Sequence, residues 1–526
     1  MALTPDYAVL LPVFILTGIG AIVPLLGAFD GRRGGMHVRG GALAILSAIG
    51  IVAAMALTLG LVWDIPGLGF LPDVSTTEVR SFALLEMTPF VVLFDLVFLA
   101  VALMVVLGSP RYMGQRHQGE YYSLILLGTV GMMIVAASRD LITLFIGLEL
   151  SSLCSFALAG FFKKRLDSSE AAMKYFLVGG ISAALALFGI SMVYGLTGGT
   201  GFSDLAGLWD DRLSLAAGGT TTIGEQLLSG HFVLGAFVWG LLLAGFGYKI
   251  AMVPFHNYAV DVYEGAPNTV GGFLAAGSKQ MGFAALFKVF FLGLFAVKAN
   301  WDIMVGILAI VTMIVGNVAA LQQTNIKRML AYSSIAQAGY ILLALAVGTE
   351  YALTGGLFHI VTYSFMKAGA FIALAAAATW GIGEELTDWK GIGRRAPYLA
   401  FAMAVFMLSF AGIPPLAGFA SKFVLFSSAI QATAGASVVY ATLYFALALV
   451  GIATSAISLV YYWRVIRVMY VEESDGRRVA VASAAGIAVT LALLGTILMG
   501  IFPTIAIELS AEAARSLFAT VATLAP

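Results

Sequence analysis

The stretch "GFGYKIAMVPFH", residues 245–256, places a lysine inside an otherwise apolar run and a proline shortly after it. Pro254 cannot donate a backbone hydrogen bond and therefore interrupts any helix that contains it. Lys249 carries an ammonium group, which is expensive to bury unless it is paired or hydrogen-bonded. We predict a helix that is broken near Pro254 and that holds a functional charge beside the break.

The composition of the whole chain indicates an integral membrane protein. Of 526 residues, 60% are hydrophobic and 11% are charged, and the mean hydropathy is +0.98, whereas soluble domains are about 25% charged. Continuous apolar runs of about 20 residues recur along the chain, each long enough to cross a hydrocarbon layer roughly 30 Å thick. Because these runs do not alternate as barrel strands do, they predict helices. We expect an all-α polytopic fold with about fourteen transmembrane helices.

Net charge and cysteine content exclude several functions. The formal net charge is zero, which argues against nucleic acid as a partner and leaves the lipid bilayer as the predicted environment. The single cysteine, Cys154, lies in an apolar run and cannot form an intrachain disulfide. We interpret it as a small buried hydrophobic residue.

The distribution of loop charges predicts the orientation. The cations in loops after odd-numbered spans are Arg32, Arg33, Arg39, Arg111, Arg116, Lys163, Lys164, Arg165, Lys327, Arg328, Lys390, Arg394, Arg395, Arg464, Arg467, Arg477 and Arg478. The other connections and the C-terminal tail carry only Arg80, Arg139, Arg212, Lys298 and Arg515. By the positive-inside rule, we expect a multi-pass protein of the cell inner (plasma) membrane with both termini outside. The segment after span seven, "NYAVDVYEGAPN", is the acidic exception, and we expect a local role for it.

Six further lysines fall inside predicted spans. They are Lys174, Lys249, Lys279, Lys288, Lys367 and Lys422. Each costs at least about 2.5 to 3.5 kcal/mol at the bilayer centre. Lys174 and Lys288 are near enough to span ends for their ammonium groups to reach the interface. Lys249, Lys279 and Lys422 are flanked by apolar sequence on both sides, so we expect them to face a polar interior.

Acidic residues are rarer within the spans. Glu149, in "LITLFIGLELSSLCSF", has no basic neighbour within one helical turn, and we predict that Lys249 is its partner from another span. Such a pair can take up or release a proton when the two groups separate, although a permanent salt bridge is the alternative. Asp95, in "LFDLVF", is a second acid predicted to be buried, and the sequence fits a structural role and a functional role equally well.

A second break predicts an internal repeat. "SFAGIPPLAGFASKF" places Pro414 and Pro415 among glycines, followed by Lys422. Broken helices at membrane depth are tolerated where they line a cavity, and they are typical of transporters with inverted repeats; a packing kink is the alternative. We predict helices 1–3 over 1–120, a first five-helix repeat over 121–300, an inverted second repeat over 301–470, and a last helix over 471–526. The broken helices are then the seventh and the twelfth.

Histidines add two candidates for proton transfer, since imidazole titrates near neutral pH. For His359, in "GLFHIVTYSFMKAGAF", the position between the lysines of the two halves favours a proton relay, whereas for His256 we favour a packed core histidine. The sequence has no metal-ligand spacing, nucleophile elbow, Walker motif or dinucleotide fingerprint. We therefore expect no cofactor or metal in this chain.

Several stretches together resemble a known family. They are "FIGLELSSLCSFALAGF", "SSEAAMKYFLVGGISAALALFGISMVYGLTG", "KIAMVPFHNYAVDVYEGAPNTVGGFLAAGSK", "QTNIKRMLAYSSIAQAGYILLAL" and "AGIPPLAGFASKF". The chain resembles the antiporter-like membrane subunits of the proton-pumping NADH:quinone oxidoreductases, or respiratory complex I, and most closely their subunit N, over roughly residues 80 to 470. The resemblance implies fourteen helices with two inverted five-helix repeats.

The same resemblance implies roles and partners. Glu149 would be the buried glutamate of the fifth helix, Lys249 its partner on the broken seventh, and Lys279 and Lys422 the lysines of the eighth and twelfth. The partners would be other membrane-arm subunits, which would hold quinone, FMN and iron–sulfur clusters if the donor is NADH. Related complexes take electrons from a reduced deazaflavin or ferredoxin. A cation/proton antiporter subunit and a structural scaffold remain the alternatives.

The loop charges make the orientation testable. Single cysteines introduced into a Cys154→Ala background within residues 198–230 should react from outside the cell with an impermeant thiol reagent. Cysteines within 161–170 or 381–397 should react only after the membrane is opened, since these segments are predicted to be cytoplasmic. The opposite labelling pattern would invert the predicted topology.

Overall fold

The computed structural model describes residues 7–30, 40–60, 80–114, 117–207, 230–473 and 483–524. Within this part of the chain, the fold is helical apart from one short hairpin. Eleven of the described helices are long and apolar enough to cross a membrane. The three other predicted spans, numbers seven, eight and twelve, are the ones that the structure divides into shorter segments. The predicted all-α polytopic fold is therefore confirmed, and the broken helices belong to it.

The first helices precede the predicted repeats. After a 3₁₀ turn at Tyr7–Leu10, the elements are α1 Leu11–Asp30, α2 Gly40–Gly60, the antiparallel strands β1 Arg80–Phe82 and β2 Leu85–Met87, α3 Pro89–Gly108 and α4 Pro110–Met113. The side chain of Thr88 caps α3 by accepting a hydrogen bond from the N–H of Val91 at 3.4 Å.

The next elements correspond to spans four to eight. They are α5 Gln118–Ala137, α6 Leu141–Ala159, α7 Leu166–Thr197, α8 Phe202–Gly207, α9 Gly230–Lys249, α10 Asn257–Gly265, α11 Asn268–Phe273 and α12 Lys279–Phe287. Two wider π-helical segments, Leu274–Ser278 and Lys288–Gly293, make α11 and α12 parts of one continuous span.

The remaining elements correspond to spans nine to fourteen. After a 3₁₀ turn at Phe295–Val297 they are α13 Lys298–Leu321, α14 Ile326–Val347, α15 Glu350–Ala378, a 3₁₀ turn Leu386–Trp389, α16 Ile392–Arg395, α17 Pro397–Ala411, α18 Ala417–Gln431, α19 Val438–Tyr470, α20 Ser483–Ile501 and α21 Thr504–Leu524. The predicted last span corresponds to α20, and α21 follows it as a separate helix.

Both predicted breaks are present, and they share one local geometry. After α9, the backbone N–H of Met252 donates to the carbonyl of Gly247 at 2.9 Å, and after α17 the N–H of Ile413 donates to the carbonyl of Leu408 at 3.1 Å. In each case the residue before the donor has a left-handed backbone, as in a helix C-cap. The two breaks therefore repeat the same turn, which supports the predicted internal repeat.

The lysines do not follow this repeat. Lys249 is the last residue of α9 and precedes its break, whereas Lys422 lies inside α18 and follows its break. Spans seven and twelve have opposite parity, so they run in opposite directions through the bundle. Both lysines therefore lie on the half-helix that is nearer to the same end of the bundle. The breaks therefore repeat, whereas the positions of the lysines beside them do not.

The acidic segment after span seven is a second half-helix and not a loop. Residues 257–265 form α10, whose Asp261 pairs with Lys174 at 2.6 Å. Glu264 pairs with Arg328 at 2.5 Å. These acids neutralise cations of α7 and α14 at the end that we predict to be cytoplasmic, which explains the exception to the loop-charge pattern. Lys174, at this end, reaches solvent as expected.

The opposite end, which we call the outer end after the predicted orientation, is closed by two elements. The hairpin meets the α5–α6 connection, where the N–H of Arg139 donates to the carbonyl of Leu84 at 2.8 Å. The helix α21 touches the start of α3, where the Ser516 hydroxyl accepts a hydrogen bond from the N–H of Phe90 at 3.2 Å. In the same helix, Phe518 packs on Phe291 with ring centroids 5.3 Å apart. These contacts fix the outer ends of four spans.

Glycines let the first two helices of each predicted repeat approach closely. A Cβ atom on Gly131 of α5 would lie 2.6 Å from the backbone nitrogen of Ser151 in α6. A Cβ atom on Gly316 of α13 would clash with the backbone nitrogen of Ala336 in α14. Small residues allow such approach between membrane helices. The two contacts have the same spacing along the chain, so they are equivalent positions of the repeat.

These contacts predict a selective loss of stability. Gly131→Ala or Gly316→Ala should destabilise the fold by about 1 to 3 kcal/mol, because the helices must move apart. Gly180→Ala in α7 is the matched control, since its Cβ would meet no atom within 4 Å. Thermal unfolding of the detergent-solubilised assembly measures the difference. Equal unfolding midpoints for the three variants would contradict the close contact.

Candidate functional site: a buried row of polar side chains

Lys249 occupies the C-terminal end of the half-helix α9. Its side chain is buried and its ammonium group donates to the Ser152 hydroxyl of α6 at 2.8 Å. A helix C-terminus favours a positive charge, because unsatisfied carbonyl groups concentrate there. Gly282 of α12 packs against this lysine, and a Cβ atom there would lie 2.8 Å from Ile250 and 3.1 Å from the Cβ of Lys249. The break and the glycine together place the ammonium inside the bundle.

Glu149 lies one helical turn before Ser152, and its side chain faces the lateral surface of the helix bundle. It is half-buried, and on the same stripe of α6 the side chains of Ile146 and Leu153 are exposed. Among the described residues, no ion pair within 4.0 Å joins Glu149 to Lys249. The two groups are therefore neighbours on α6 and α9 but do not form a closed salt bridge in this structure. Their role as a switchable pair stays a prediction.

Lys279 is buried at the junction between the π-helical segment Leu274–Ser278 and α12. Its ammonium group donates to the carbonyl of Ser334 at 2.6 Å and to the Ser334 hydroxyl at 3.1 Å. That hydroxyl also contacts the Tyr363 hydroxyl at 2.7 Å. Single π-turns often mark functional sites in helices. Lys279 is thus connected through neutral groups to α14 and α15.

His359 is fully buried and uses both ring nitrogens. Nδ1 lies 2.9 Å from the Ser421 hydroxyl, and Nε2 lies 2.8 Å from the amide oxygen of Gln337. A neutral imidazole has one donor and one acceptor nitrogen, which matches these partners. The histidine bridges α14 and α18 through side chains that can themselves donate and accept. This geometry is suited to the predicted relay.

Lys422 is buried in α18 and reaches back to the preceding half-helix. Its ammonium group donates to the carbonyl of Phe410 at 2.6 Å and to the Ser455 hydroxyl at 2.8 Å. Pro414 stands four residues after Phe410 and has no N–H to offer that carbonyl. The proline therefore creates the acceptor that the lysine uses. A mostly apolar cleft of about 450 Å³ runs from this lysine past Phe423, which is exposed.

Lys367 belongs to the same arrangement, although the sequence did not distinguish it clearly. It is fully buried and donates to the carbonyl of Leu330 at 2.5 Å and to the Ser333 hydroxyl at 2.9 Å. Its ammonium also lies 5.1 Å from the ring centre of Phe410. The signal was its spacing, because Lys367 follows His359 by two steps of four residues and shares its helix face.

We name these buried side chains together the polar row. Its members are Lys249, Lys279, His359, Lys367 and Lys422. Ordinary serine, glutamine and tyrosine side chains connect them, and no sequence motif distinguished these connectors beforehand: Ser152, Ser334, Gln337, Tyr363 and Ser421. His256 lies outside these contacts; it is half-buried at the start of α10 and makes no hydrogen bond through Nδ1 with described residues.

The equivalent glycine contacts relate the row to the repeat. When the two repeats are aligned so that Gly131 matches Gly316, Ser334 is the counterpart of Glu149. Gln337 is then the counterpart of Ser152. Three of these four positions contact functional groups, because Ser152 binds Lys249, Ser334 binds Lys279 and Gln337 binds His359. One helix face is thus used twice, with a carboxylate in the first copy only.

Two broken helices around buried, hydrogen-bonded cations define a polytopic membrane protein of the ion-translocating class. Over residues 138–448 the chain matches the family described as NADH:quinone oxidoreductase/Mrp antiporter, TM. It is 42% identical to the F(420)H(2) dehydrogenase subunit N of Methanosarcina mazei, over 97% of this chain and 98% of that protein. It is 40% identical to the NADH-quinone oxidoreductase subunit N of Trichlorobacter lovleyi, with the same shares covered.

The solved structures agree with these sequence relatives. A chain of respiratory complex I from Thermus thermophilus with bound aureothin matches with a TM-score of 0.74 and 29% identity, over 95% of this chain and 99% of that chain. The chain therefore belongs to the antiporter-like membrane subunits of NADH:quinone oxidoreductases and Mrp antiporters, and within them to the subunit N group. The expected family is confirmed.

The contact between Gly282 and Lys249 gives a prediction for the site. Gly282→Ala should displace the Lys249 side chain and lower the turnover of the assembled complex severalfold, with subunit content unchanged. Gly277→Ala, on the same span, is the matched control, because its nearest neighbour would be 3.4 Å away in ordinary contact. Turnover is compared in membranes with equal amounts of complex. Native turnover in Gly282→Ala would show that the position of Lys249 is unimportant.

Proposed function

We propose that this chain is a proton-translocating membrane-arm subunit of a complex I-type oxidoreductase. One observation carries the proposal: the four lysines of the polar row are buried and donate their hydrogen bonds to neutral hydroxyl and carbonyl groups. Among the described residues, none of them has a carboxylate within 4.0 Å. A lysine that serves only to lock helices together would be matched by a buried acid, since an unpaired buried charge is costly.

The chemistry of proton transfer fits these surroundings. A lysine held away from water can lose its proton, and a hydroxyl or carbonyl partner can stabilise the ammonium when the proton returns. Ser334 offers both kinds of acceptor to Lys279. The Tyr363 hydroxyl and the imidazole of His359 can each accept one proton while giving up another. The row therefore supplies exchangeable protons across four spans.

We infer a direction from the placement of the breaks. Protons are taken up from the cytoplasm near Lys249, pass along the row through Lys279 and His359, and leave through Lys422 toward the outside. His359 and Lys422 come together because the Nδ1 partner of the histidine, Ser421, is the neighbour of the lysine in α18. The residue roles, the two repeats and the orientation with both termini outside are parts of this proposal.

The outward-facing Glu149 indicates the partners. An ionised carboxylate facing acyl chains at membrane depth is expensive, so a neighbouring subunit is expected to cover this face of α6. The cleft beside Lys422 is a second place where the row opens to the surface of the bundle. Charge changes in a neighbour can reach the row at these two places. This matches relatives that are named as subunits of larger oxidoreductases.

Redox chemistry is assigned to those partner subunits. They would hold quinone, and FMN and iron–sulfur clusters if NADH is the donor, while this chain contributes proton transfer and no redox centre. The donor is determined by subunits outside this chain, and its relatives include both an F(420)H(2) and an NADH enzyme. Copurification of soluble subunits identifies the donor directly.

An antiporter subunit is the second candidate, because the matched family also includes Mrp antiporters. Both functions would use the same lysines. Removal of the redox subunits separates them, since an antiporter retains cation/proton exchange and a complex I-type subunit loses all driven pumping. Retained exchange in membranes without the redox arm would favour the antiporter.

Lys279 provides the test of proton transfer. Lys279→Arg keeps the positive charge but removes the ability to become neutral, because arginine stays protonated at all relevant pH values. Both Lys279→Arg and Lys279→Ala should therefore reduce pumping and coupled redox turnover in a normally assembled complex, by about tenfold or more. If Lys279→Arg pumps like the native protein, Lys279 supplies only a fixed charge and the proposed path fails.

A further inference from the structure

We infer that Asp95, Lys288 and Glu86 form a second proton-release site at the outer end, in addition to the exit at Lys422, in which Asp95 is the inner group and Glu86 the outer one. The inference rests on the proposed proton-translocating function. It assigns a role to a buried acid and a buried lysine that the row does not use. Neither residue belongs to a broken helix.

Lys288 is the centre of the site. It is completely buried at the end of α12, yet the sequence left open an interfacial position for its ammonium group. The ammonium donates to the Glu86 carboxylate at 2.9 Å and to the carbonyl of Ser138 at 2.6 Å. Strand β2 of the outer hairpin carries Glu86, so an element outside the helices brings this acid to the lysine.

Glu86 connects the lysine to the surface. One carboxylate oxygen is bound by Lys288, and the other lies 4.0 Å from the guanidinium of Arg139. The Arg139 side chain is 44% exposed, whereas that of Glu86 is 11% exposed. A proton on Glu86 therefore has a short way to the outer water.

Asp95 extends the site inward. It is buried in α3, and one of its carboxylate oxygens makes no hydrogen bond with any described residue. Among the described residues, no ion pair within 4.0 Å joins Asp95 to Lys288, although the two groups are near enough to interact electrostatically. An ammonium has three hydrogens, and Lys288 uses two of them on Glu86 and Ser138, so a shift of either side chain could bring the third to Asp95. A purely structural salt bridge between Lys288 and Glu86 would not need Asp95.

The site also lies on the span that carries Lys279. Lys288 follows Lys279 by nine positions along the helix, which corresponds to about 13 Å along the axis. The helix runs between them without a break, through α12 into the segment Lys288–Gly293. A proton that reaches the central lysine therefore has a second way to the outer end along this span.

The three groups can pass one proton outward and return to their starting charges. A proton arriving from the side of the row converts the Asp95 carboxylate to a carboxylic acid. The Lys288 ammonium gives a proton to the Glu86 carboxylate through their hydrogen bond, and Glu86 releases it to outer water. The neutral amine of Lys288 then takes the proton from Asp95. One proton has entered and one has left.

The experiment compares variants in the complete membrane complex. Asp95→Asn keeps the size of the side chain but cannot carry the proton, so pumping and coupled turnover should fall severalfold, with the remainder carried by the exit at Lys422. Asp95→Glu should retain most of the activity. Glu350→Gln is the control, because Glu350 forms an exposed pair with Arg515 at the same end and should pump normally.

A second measurement separates proton transfer from a structural effect. It also keeps the inference testable if Asp95→Asn assembles poorly. Glu86→Gln preserves a hydrogen-bond partner for Lys288 but blocks release, so turnover should slow and its solvent deuterium isotope effect should increase. Slower turnover with an unchanged isotope effect would identify a structural role and overturn the inference. Native pumping in Asp95→Asn would also overturn it. If Asp95→Asn pumps normally while Lys279→Ala is impaired, the release site is ruled out and the proposed function stands. If both variants pump normally, the release site and the proposed function are both ruled out.

Discussion

The structure depends on one constraint: inside a bilayer, every carbonyl and every charge needs a partner from the protein itself. Pro414 frees the carbonyl of Phe410, and Lys422 takes it as an acceptor. The helix break and the buried cation therefore satisfy each other. At the other break, Lys249 stands at a helix C-terminus and finds a serine hydroxyl. Proline and lysine are each unfavourable in a membrane helix, and here one compensates for the other.

The buried lysines fall into two kinds. Those of the polar row rest on carbonyls and hydroxyls, which leaves their protonation free to change with the charge of their surroundings. Lys288 and Lys327 are equally buried but are paired with the carboxylates of Glu86 and Glu384. These paired lysines lie toward the two ends of the bundle and bind elements outside the spans. The inner row is suited to movement of charge, and the ends hold the helices in register, with the outer pair given a further role by Asp95.

Inverted repeats usually suggest that both halves do the same thing, and this chain departs from that. The breaks, the close glycine contacts and the helix face that binds functional groups all repeat. The groups themselves do not, because the carboxylate of Glu149 has Ser334 as its counterpart and the lysines stand on opposite sides of their breaks in chain order. The repeat supplies a scaffold with two openings, while the differing side chains give the row a beginning and an end.

The sequence alone determined the membrane class, the two breaks and the lysines that flank them, because hydrophobic length, proline and charge act locally along the chain. It also led to Glu149 and His359. Only the tertiary structure decided the partners: that Lys249 binds Ser152, that Lys279 reaches Ser334, and that Lys367 joins the row. Serines and glutamines carry no charge or special backbone preference, so nothing local distinguishes one that holds an ammonium from one that faces lipid. Their roles arise when helices distant in sequence bring them within hydrogen-bonding distance.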